Sequence, residues 1–316
     1  MRILVNNIRS TNSTLLVRLL KRIKRFRVEV WGSDTAKPGT IASSTFVDRY
    51  FQAPHIDDEA AYLNFLQTLS KNHKIDFIFI STDKEVRFID RYKSEINIPF
   101  INSPSETISL FQDKLAASLA VRNIGIAIPP IYHDLFGKEK VIFRKKRSVS
   151  SQGIYVADLS TATHIENHFY SDWFAQKYLT GNTYIADVFA DREGMPKLII
   201  PRRKIEAQMG SAFRSEIIKH EQVIESCKKI YSNFTIPGLS NIEFIENEDG
   251  LHFIEINLRI GGSATAGIIA SFNYIEQYLE HFVNGAVLDS LDNYMECVAW
   301  DSVVSRFYDE VIVNGV

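Results

Sequence analysis

SNIEFIENEDGLHFIEINLRIGGSAT, residues 240–265, alternates polar and apolar positions on both sides of Glu248-Asp249-Gly250 and then runs into a glycine pair. Alternation of this kind marks two strands, and Glu-Asp-Gly, with a glycine free to take positive φ, reads as a three-residue hairpin loop. Folding the ladder about Asp249 sets Asn247 against Leu251, Ile245 against Phe253 and Glu243 against Glu255. Glu243, Glu255 and Asn257 then share one face of the hairpin. Opposed carboxylates repel, so a sheet built only for stability has no use for them. A divalent cation between them turns repulsion into ligation. Hard oxygen donors, few enough to leave room for water and phosphate, suit Mg²⁺ held together with a nucleotide. A wet polar face is the plainer reading of a lone Glu-x-Asn. Glu243 opposite, Arg259 alongside and Gly261-Gly262 leading into a helix favour the metal.

The same residues resemble the metal-binding end of the ATP-grasp superfamily, especially the branch similar to the carbamoyl-phosphate synthase large chain and the carboxylate–amine ligases. That branch carries Gln or Glu on the first strand and Glu-x-Asn-x-Arg on the second. Glu243, Glu255, Asn257 and Arg259 fall on those positions, with Leu258 where proline is usual. The resemblance implies an α/β (α+β) fold: a Rossmann-like front domain over residues 1–108, a small lid subdomain over 109–175, and a C-terminal subdomain over 176–316 with the ATP and metal site.

Working outward, Pro201-Arg202-Arg203-Lys204 ends a strand and is similar to a family segment whose basic residues reach the transferred phosphate. Arg202 and Lys204 take that role by resemblance, with Arg203 on the opposite face. AQMGSAFRSE, 207–216, is expected as a mobile loop and 217–234 as a helix. In DWFAQKYLTGNTYIADVFADREG, 172–194, Gln176, Lys177, Tyr178 and Leu179 match the linker whose backbone holds adenine. Lys177 and Thr183 stand where family members carry acidic residues, and Asp187 follows on the next strand.

VIFRKKRSVSSQGIYVADL, 141–159, places a basic strand before a serine-rich turn and a second strand. Cationic side chains, hydroxyls and exposed N–H groups suit an anion. The stretch resembles the strand–loop–strand that folds over a triphosphate. Arg144 and Lys146 then take the nucleotide-binding basic positions, and Ser148, Ser151 and Gly153 the loop positions. An arginine in place of the usual lysine keeps charge but presents a planar fork, and the loop holds one glycine only. Read without the motif, RKKR is an edge strand protected by charge. FQDKLAASLAVRNIGIAIPP, 111–130, reads as a helix ending near Gly125, with Lys114 at the family's phosphate-reaching position.

The front 105 residues alternate short apolar strands (2–5, 28–32, 76–80) with helices (14–24, 57–72), the pattern of a small parallel α/β unit. Asn6-Asn7-Ile8-Arg9-Ser10 replaces any GxGxxG after the first strand, which argues against a dinucleotide. The loop 81–86 matches where the family places acceptor contacts. The tail 299–313 reads as a closing strand, with Arg306 on the surface.

The chain has 316 residues and a net charge of −2, which gives no nucleic-acid surface and no polybasic membrane contact. Its two cysteines, Cys227 and Cys297, form no CxxC and read as free thiols. No signal peptide or membrane span is expected, so the expected location is the cytoplasm. A homodimer is the default assembly. No Ser-His-Asp or Cys-His set stands out. An Mg²⁺ clamp, a basic strand and a phosphate loop support phosphoryl transfer by charge neutralisation.

By resemblance, the expected activity is ATP-dependent ligation of a small-molecule carboxylate to an amine through an acyl phosphate, releasing ADP and phosphate. Glu243, Glu255 and Asn257 would hold Mg²⁺ (or Mn²⁺); Lys114, Arg144 and Lys146 would steady ATP; Arg202, Lys204 and Arg259 would stabilise the phosphoryl group. Carboxyphosphate chemistry of the carbamoyl-phosphate synthase kind and a non-catalytic ATP-binding regulator are the alternatives.

Overall fold

The computed structural model describes residues 1–132, 140–148, 153–158, 172–208, 211–307 and 309–313. Its front part runs β1 (Arg2–Val5), α1 (Thr11–Lys21), β2 (Glu29–Asp34), β3 (Arg49–Gln52), α2 (Glu59–Asn72), β4 (Phe77–Phe79) and α3 (Asp83–Arg91). The strands form a parallel sheet in the order β3-β2-β1-β4. Layers on both faces bury Ile3, Leu4 and Val5 of the inner strand β1. Ile3 and Val5 of β1 join the cluster of Leu16 and Leu20 from α1, while Leu4 joins that of Leu66 from α2 and Ile89 from α3.

Three expectations change here. Residues 81–86 are mostly helix rather than loop, because Thr82 and Glu85 make a reciprocal capping box that starts α3. The helix expected from residue 57 begins at Glu59, since the Asp58 side chain accepts from the Ala61 N–H as N-cap. β3 went unforeseen because Arg49-Tyr50-Phe51-Gln52 is an edge strand that buries none of its residues fully.

Next come α4 (Ser105–Phe111) and α5 (Lys114–Asn123), two helices where one was expected. Asp113 separates them by accepting from the Leu115 and Ala116 N–H groups and so starting α5 anew. A second sheet, antiparallel, holds β5 (Ile131–Tyr132), β6 (Lys140–Lys145), β7 (Ile154–Asp158) and β8 (Trp173–Lys177) in the order β5-β8-β6-β7. Its described core is small: Val141, Phe143, Ala157 and Ala175, flanked by Tyr132 and Trp173. A sheet with so little buried surface depends on what it packs against.

The third sheet is six-stranded. β9 (Asn182–Ala190), β10 (Pro196–Gln208), β11 (Ser211–Ile217), α6 (Glu221–Asn233), β12 (Gly238–Asn247), β13 (Gly250–Asn257), α7 (Thr265–Ile269), α8 (Tyr274–Asn284), α9 (Leu291–Glu296) and β14 (Val303–Ser305) complete the chain. The order is β13-β12-β9-β10-β11-β14. α6 covers one face, its Val223, Cys227 and Ile230 packing with Val188, Ile199 and Phe244. Cys227 is thus a core residue, and burial pushes its thiol far above the usual range. Residues 207–208 and 211–216, expected within a mobile loop, are strand: they form the end of β10 and most of β11, paired from Arg202–Ile217 to Gln208–Ser211, while 209–210 lie outside the described residues. The helix after them starts at Glu221, and the closing strand shrinks to Val303–Ser305. Among the described residues no helix is long and apolar enough to cross a membrane.

Candidate functional site

β12 and β13 pair one residue tighter than the sequence suggested: Asn247 faces Gly250, Ile245 faces His252 and Phe244 faces Phe253. A bulge then restores the expected opposition of Glu243 and Glu255, with Ile254 as the extra residue. The bulge has a physical reason. Phe244 and Phe253 are both fully buried in the α6 core, whereas Glu255, two residues on, must face away from it. In an unbroken strand Phe253 and Glu255 would share a face. The bulge turns the strand between them, and the Ile254 carbonyl accepts from Arg144 Nη1 at 3.0 Å.

Around the two carboxylates the structure assembles a dense set of charges. Glu255 Oε2 accepts from Arg144 Nη2 at 3.0 Å, and Glu243 Oε1 from Lys204 Nζ at 3.3 Å. Asn257 Nδ2 donates to Asn241 Oδ1 at 2.9 Å and lies 3.4 Å from Glu255 Oε1. Arg259 Nη2 donates to Asn257 Oδ1 at 3.1 Å and to Asp83 Oδ2 of α3 at 2.9 Å. Arg306, expected on the surface, is half-buried and donates to the Gly262 carbonyl.

Among the described residues no group of three or more His, Cys, Asp or Glu could hold a metal ion. The candidate donors are instead two carboxylates and one amide oxygen, a hard set that fits Mg²⁺ or Mn²⁺ completed by water and phosphate oxygens. Electrostatics agrees with the fit. Burial first, and the charge of Glu255 after it, push the Glu243 carboxyl above the usual carboxylate range, against the pull of Lys204 and Arg144. A second positive charge placed there would reverse that shift.

The sign gives a test. A native-state value above the ordinary 4.5 means that the folded protein holds a proton the unfolded chain releases. The group's stabilising contribution is complete below 4.5 and is lost as pH rises through the raised value. A cation that binds the ionised form compensates on the alkaline side. Added Mg²⁺ should therefore raise the unfolding midpoint more at about pH 7.5 than at about pH 5. Glu243→Gln should stabilise the metal-free protein by up to about 1 kcal/mol, by removing the like-charge pair, and abolish the Mg²⁺ response. Thermal melts with and without Mg²⁺ measure both, and an unchanged response in the variant would remove Glu243 from the metal site.

The second sheet closes over these carboxylates. Arg144 is buried and carries the two bonds already given. Lys114 Nζ donates to the Ser148 carbonyl at 2.9 Å, and burial, followed by the charge of Arg144, lowers its pKa. Lys146 is tied by its backbone, donating to the Asp172 carbonyl and accepting from the Lys114 N–H, and makes no ion pair among the described residues. Gly153 has φ +77°, and a Cβ on it would lie 2.7 Å from that of Lys145, so the turn itself demands glycine. Ser151 lies outside the described residues.

Gln176 and Lys177 finish β8, followed by Tyr178 and Leu179. Gln176 is buried with its amide 3.4 Å from the Pro129 carbonyl, and Lys177 reaches Asp249 at 3.2 Å. The N–H groups of Lys177 and Tyr178 are spent on the Pro130 and Lys140 carbonyls. That of Leu179 makes no hydrogen bond among the described residues. Gly181 then lets the chain pass the Glu246 carbonyl, which a Cβ would meet at 2.1 Å.

Arg202 sits differently from its neighbours. Its side chain has no exposed surface and makes a two-pronged pair with Asp187, at 2.7 and 3.2 Å. Arg203 projects to the other face and pairs with Glu216, as strand alternation requires. Lys114, Ser148, Glu255 and Asn257 line one cavity together with Asp83 and Arg87 of α3. Its open volume is about 70 Å³. A small-molecule pocket spans roughly 300–1,000 Å³, more than this cavity offers as it stands.

Sequence reasoning missed Asp187 as the partner of Arg202, Asn241 as that of Asn257, and Arg87. Arg87 is exposed to the cavity and makes no ion pair among the described residues. Only a fold places it there; one arginine on an amphipathic helix carries no signal of its own.

Residues 169–298 match the family model described as ATP-grasp in the biosynthetic pathway with Ter operon. No curated protein matches the chain. Solved structures resemble it over most of its length. The biotin carboxylase domain of Hydrogenobacter thermophilus 2-oxoglutarate carboxylase, solved with MgADP, ADP and bicarbonate, is 15% identical with a TM-score of 0.71, covering 96% of this chain and 73% of that one. N5-carboxyaminoimidazole synthetase from Staphylococcus aureus with ADP is 16% identical, TM-score 0.68, covering 91% and 78%. L-amino acid ligase from Bacillus licheniformis is 14% identical, TM-score 0.67, covering 93% and 76%.

Proposed function

We propose that this chain, an ATP-grasp protein in fold, is an ATP-dependent ligase that activates a small carboxylate as its acyl phosphate and passes the acyl group to an amine. The observation that carries the reading is the opposition of Glu243 and Glu255 on a bulged hairpin, under a basic strand that supplies Arg144. Glu243, Glu255 and Asn257 would hold Mg²⁺, which when bound neutralises phosphate charge. Arg144 and Lys114 would bind the phosphates after giving up their present partners, and the loop around Ser148 and Gly153 would cover them. The Leu179 N–H offers the backbone donor for adenine.

In the reaction the acceptor carboxylate oxygen bonds to the γ-phosphorus as the bond to ADP breaks. Lys204 and Arg259 flank that position and would balance its charge. The amine nitrogen then bonds to the acyl carbon, loses a proton, and inorganic phosphate leaves. Bicarbonate is a second acceptor to test, because one structural relative was solved with that anion.

The test is ADP release from MgATP with pooled carboxylates, bicarbonate included, crossed with pooled amines. Turnover that requires one acid and one amine establishes the ligase. Turnover with bicarbonate alone selects carboxyphosphate chemistry. MgATP binding without turnover in any pool points to a nucleotide-binding regulator.

A further inference from the structure

A second cavity, with an open volume of about 320 Å³, shares no lining residue with the one at Glu255. Asp90 in the last turn of α3 and Lys93 just beyond it come from the front part of the chain. Arg192, in the turn between β9 and β10, and Thr235, ahead of β12, come from the third sheet. The cavity is thus a seam between two parts of the molecule, a common place for a small-molecule site.

Its walls are held in place. The β9–β10 turn is closed by the Gly194 N–H on the Asp191 carbonyl at 3.1 Å and by the Met195 N–H on Asp191 Oδ1 at 2.7 Å. The turn packs so closely on the segment before β12 that a Cβ on Gly194 would lie 2.9 Å from the Ile236 nitrogen. Asn102 ties its loop to α3 by donating to the Val86 carbonyl at 2.9 Å. Arg192 is anchored three times. Its backbone N–H donates to His281 Nε2 at 3.2 Å, its Nη2 donates to the Phe282 carbonyl at 3.1 Å, and its guanidinium lies over the Phe282 ring at 5.4 Å. Its Nε and Nη1 make no bond among the described residues.

The lining carries two cations and one acid, and the acid is spent. Asp90 Oδ1 accepts from Lys93 Nζ at 3.1 Å and from Ser105 Oγ at 2.6 Å, which leaves the Arg192 charge unmatched among the described residues. Ser103, 7% exposed, and Thr235 both line the cavity, and neither hydroxyl makes a hydrogen bond among the described residues. A hydroxyl buried as deeply as that of Ser103 ordinarily has a partner. Phe100, Pro104 and Pro237 supply apolar wall.

We infer that this pocket binds a compact organic monoanion, a carboxylate with an apolar body. The carboxylate meets the fixed fork of Arg192 and the two hydroxyls, and the body lies on Phe100 and the prolines. The site is separate from the nucleotide cavity and does not depend on the ligase reading.

Calorimetry on the full chain tests it, with benzoate, phenylacetate and isovalerate as probes beside their uncharged amides. Each is offered to the protein alone and to protein saturated with a non-hydrolysable MgATP analogue. At least one acid should bind in both states, and its amide at least about tenfold more weakly. Arg192→Gln should weaken that acid by at least about tenfold and leave MgATP binding unchanged. Thr235→Val, which keeps the shape of an exposed side chain, should weaken it by about threefold. The inference is overturned if no acid binds, if the MgATP analogue displaces the acid, or if Arg192→Gln binds it as the wild type does. Tighter binding of phenyl phosphate than of benzoate would overturn the monoanion assignment. A wild type that binds the acid but not MgATP would sink the ligase reading and leave this site standing.

Discussion

Glu255→Gln should lower MgATP-dependent ADP release by about 10²–10³-fold, the loss typical when one preorganised electrostatic group is removed from an active site. Glu255 is where the contacts of the site converge. It opposes Glu243, receives Arg144 from the second sheet and lies beside Asn257, all through a bulge that exists to turn it away from the core. Glutamine keeps the shape and still accepts from Arg144, but it takes the counter-charge from a guanidinium whose side chain is 4% exposed. The variant's unfolding midpoint should therefore fall, only partly offset by relief of the repulsion with Glu243. Activity is accordingly compared well below that midpoint, where the variant is fully folded and a loss of turnover is not a loss of structure. Turnover near the wild-type level would dismiss the metal assignment of the hairpin.

How much of this was legible beforehand follows from which forces act locally. The hairpin, the opposed glutamates and the basic strand at Arg144 are written in alternation and charge over short spans, and resemblance added their grouping. The bulge at Ile254 was not legible. It arises because Phe253 is drawn to the α6 core and Glu255 away from it, a conflict that appears only once α6 packs on the sheet. The strand β11 hid behind Gly210 and a polar sequence, since its residues gain their place by pairing with β10 and β14. Asp34 and Glu85, which no motif marked as buried, are acceptors for loop N–H groups. A carboxylate that serves its own backbone in this way leaves no spacing pattern. Arg202 is the opposite case: motif and charge marked it for phosphate, yet its side chain is fully buried against Asp187.

That placement gives the second large effect. Asp187→Leu should destabilise the fold by about 3–5 kcal/mol, because it leaves a buried guanidinium without its counter-charge. Among the described residues Ser215, at 3.5 Å, is the hydrogen-bond partner that would remain to it. Replacing both partners, Asp187→Leu with Arg202→Met, should recover most of that stability, since an apolar pair avoids the desolvation that the ion pair must overcome. Denaturant unfolding of the wild type, the single variant and the double variant measures the cycle. The double variant also decides what Arg202 does. If it braces β9 against β10, as its burial indicates, ADP release in the refolded double variant should stay within about tenfold of wild type. A fall to the level of Glu255→Gln would mean that Arg202 leaves Asp187 during turnover and meets the phosphoryl group itself. A closed, ion-paired arginine and a catalytic one would then be two positions of one side chain.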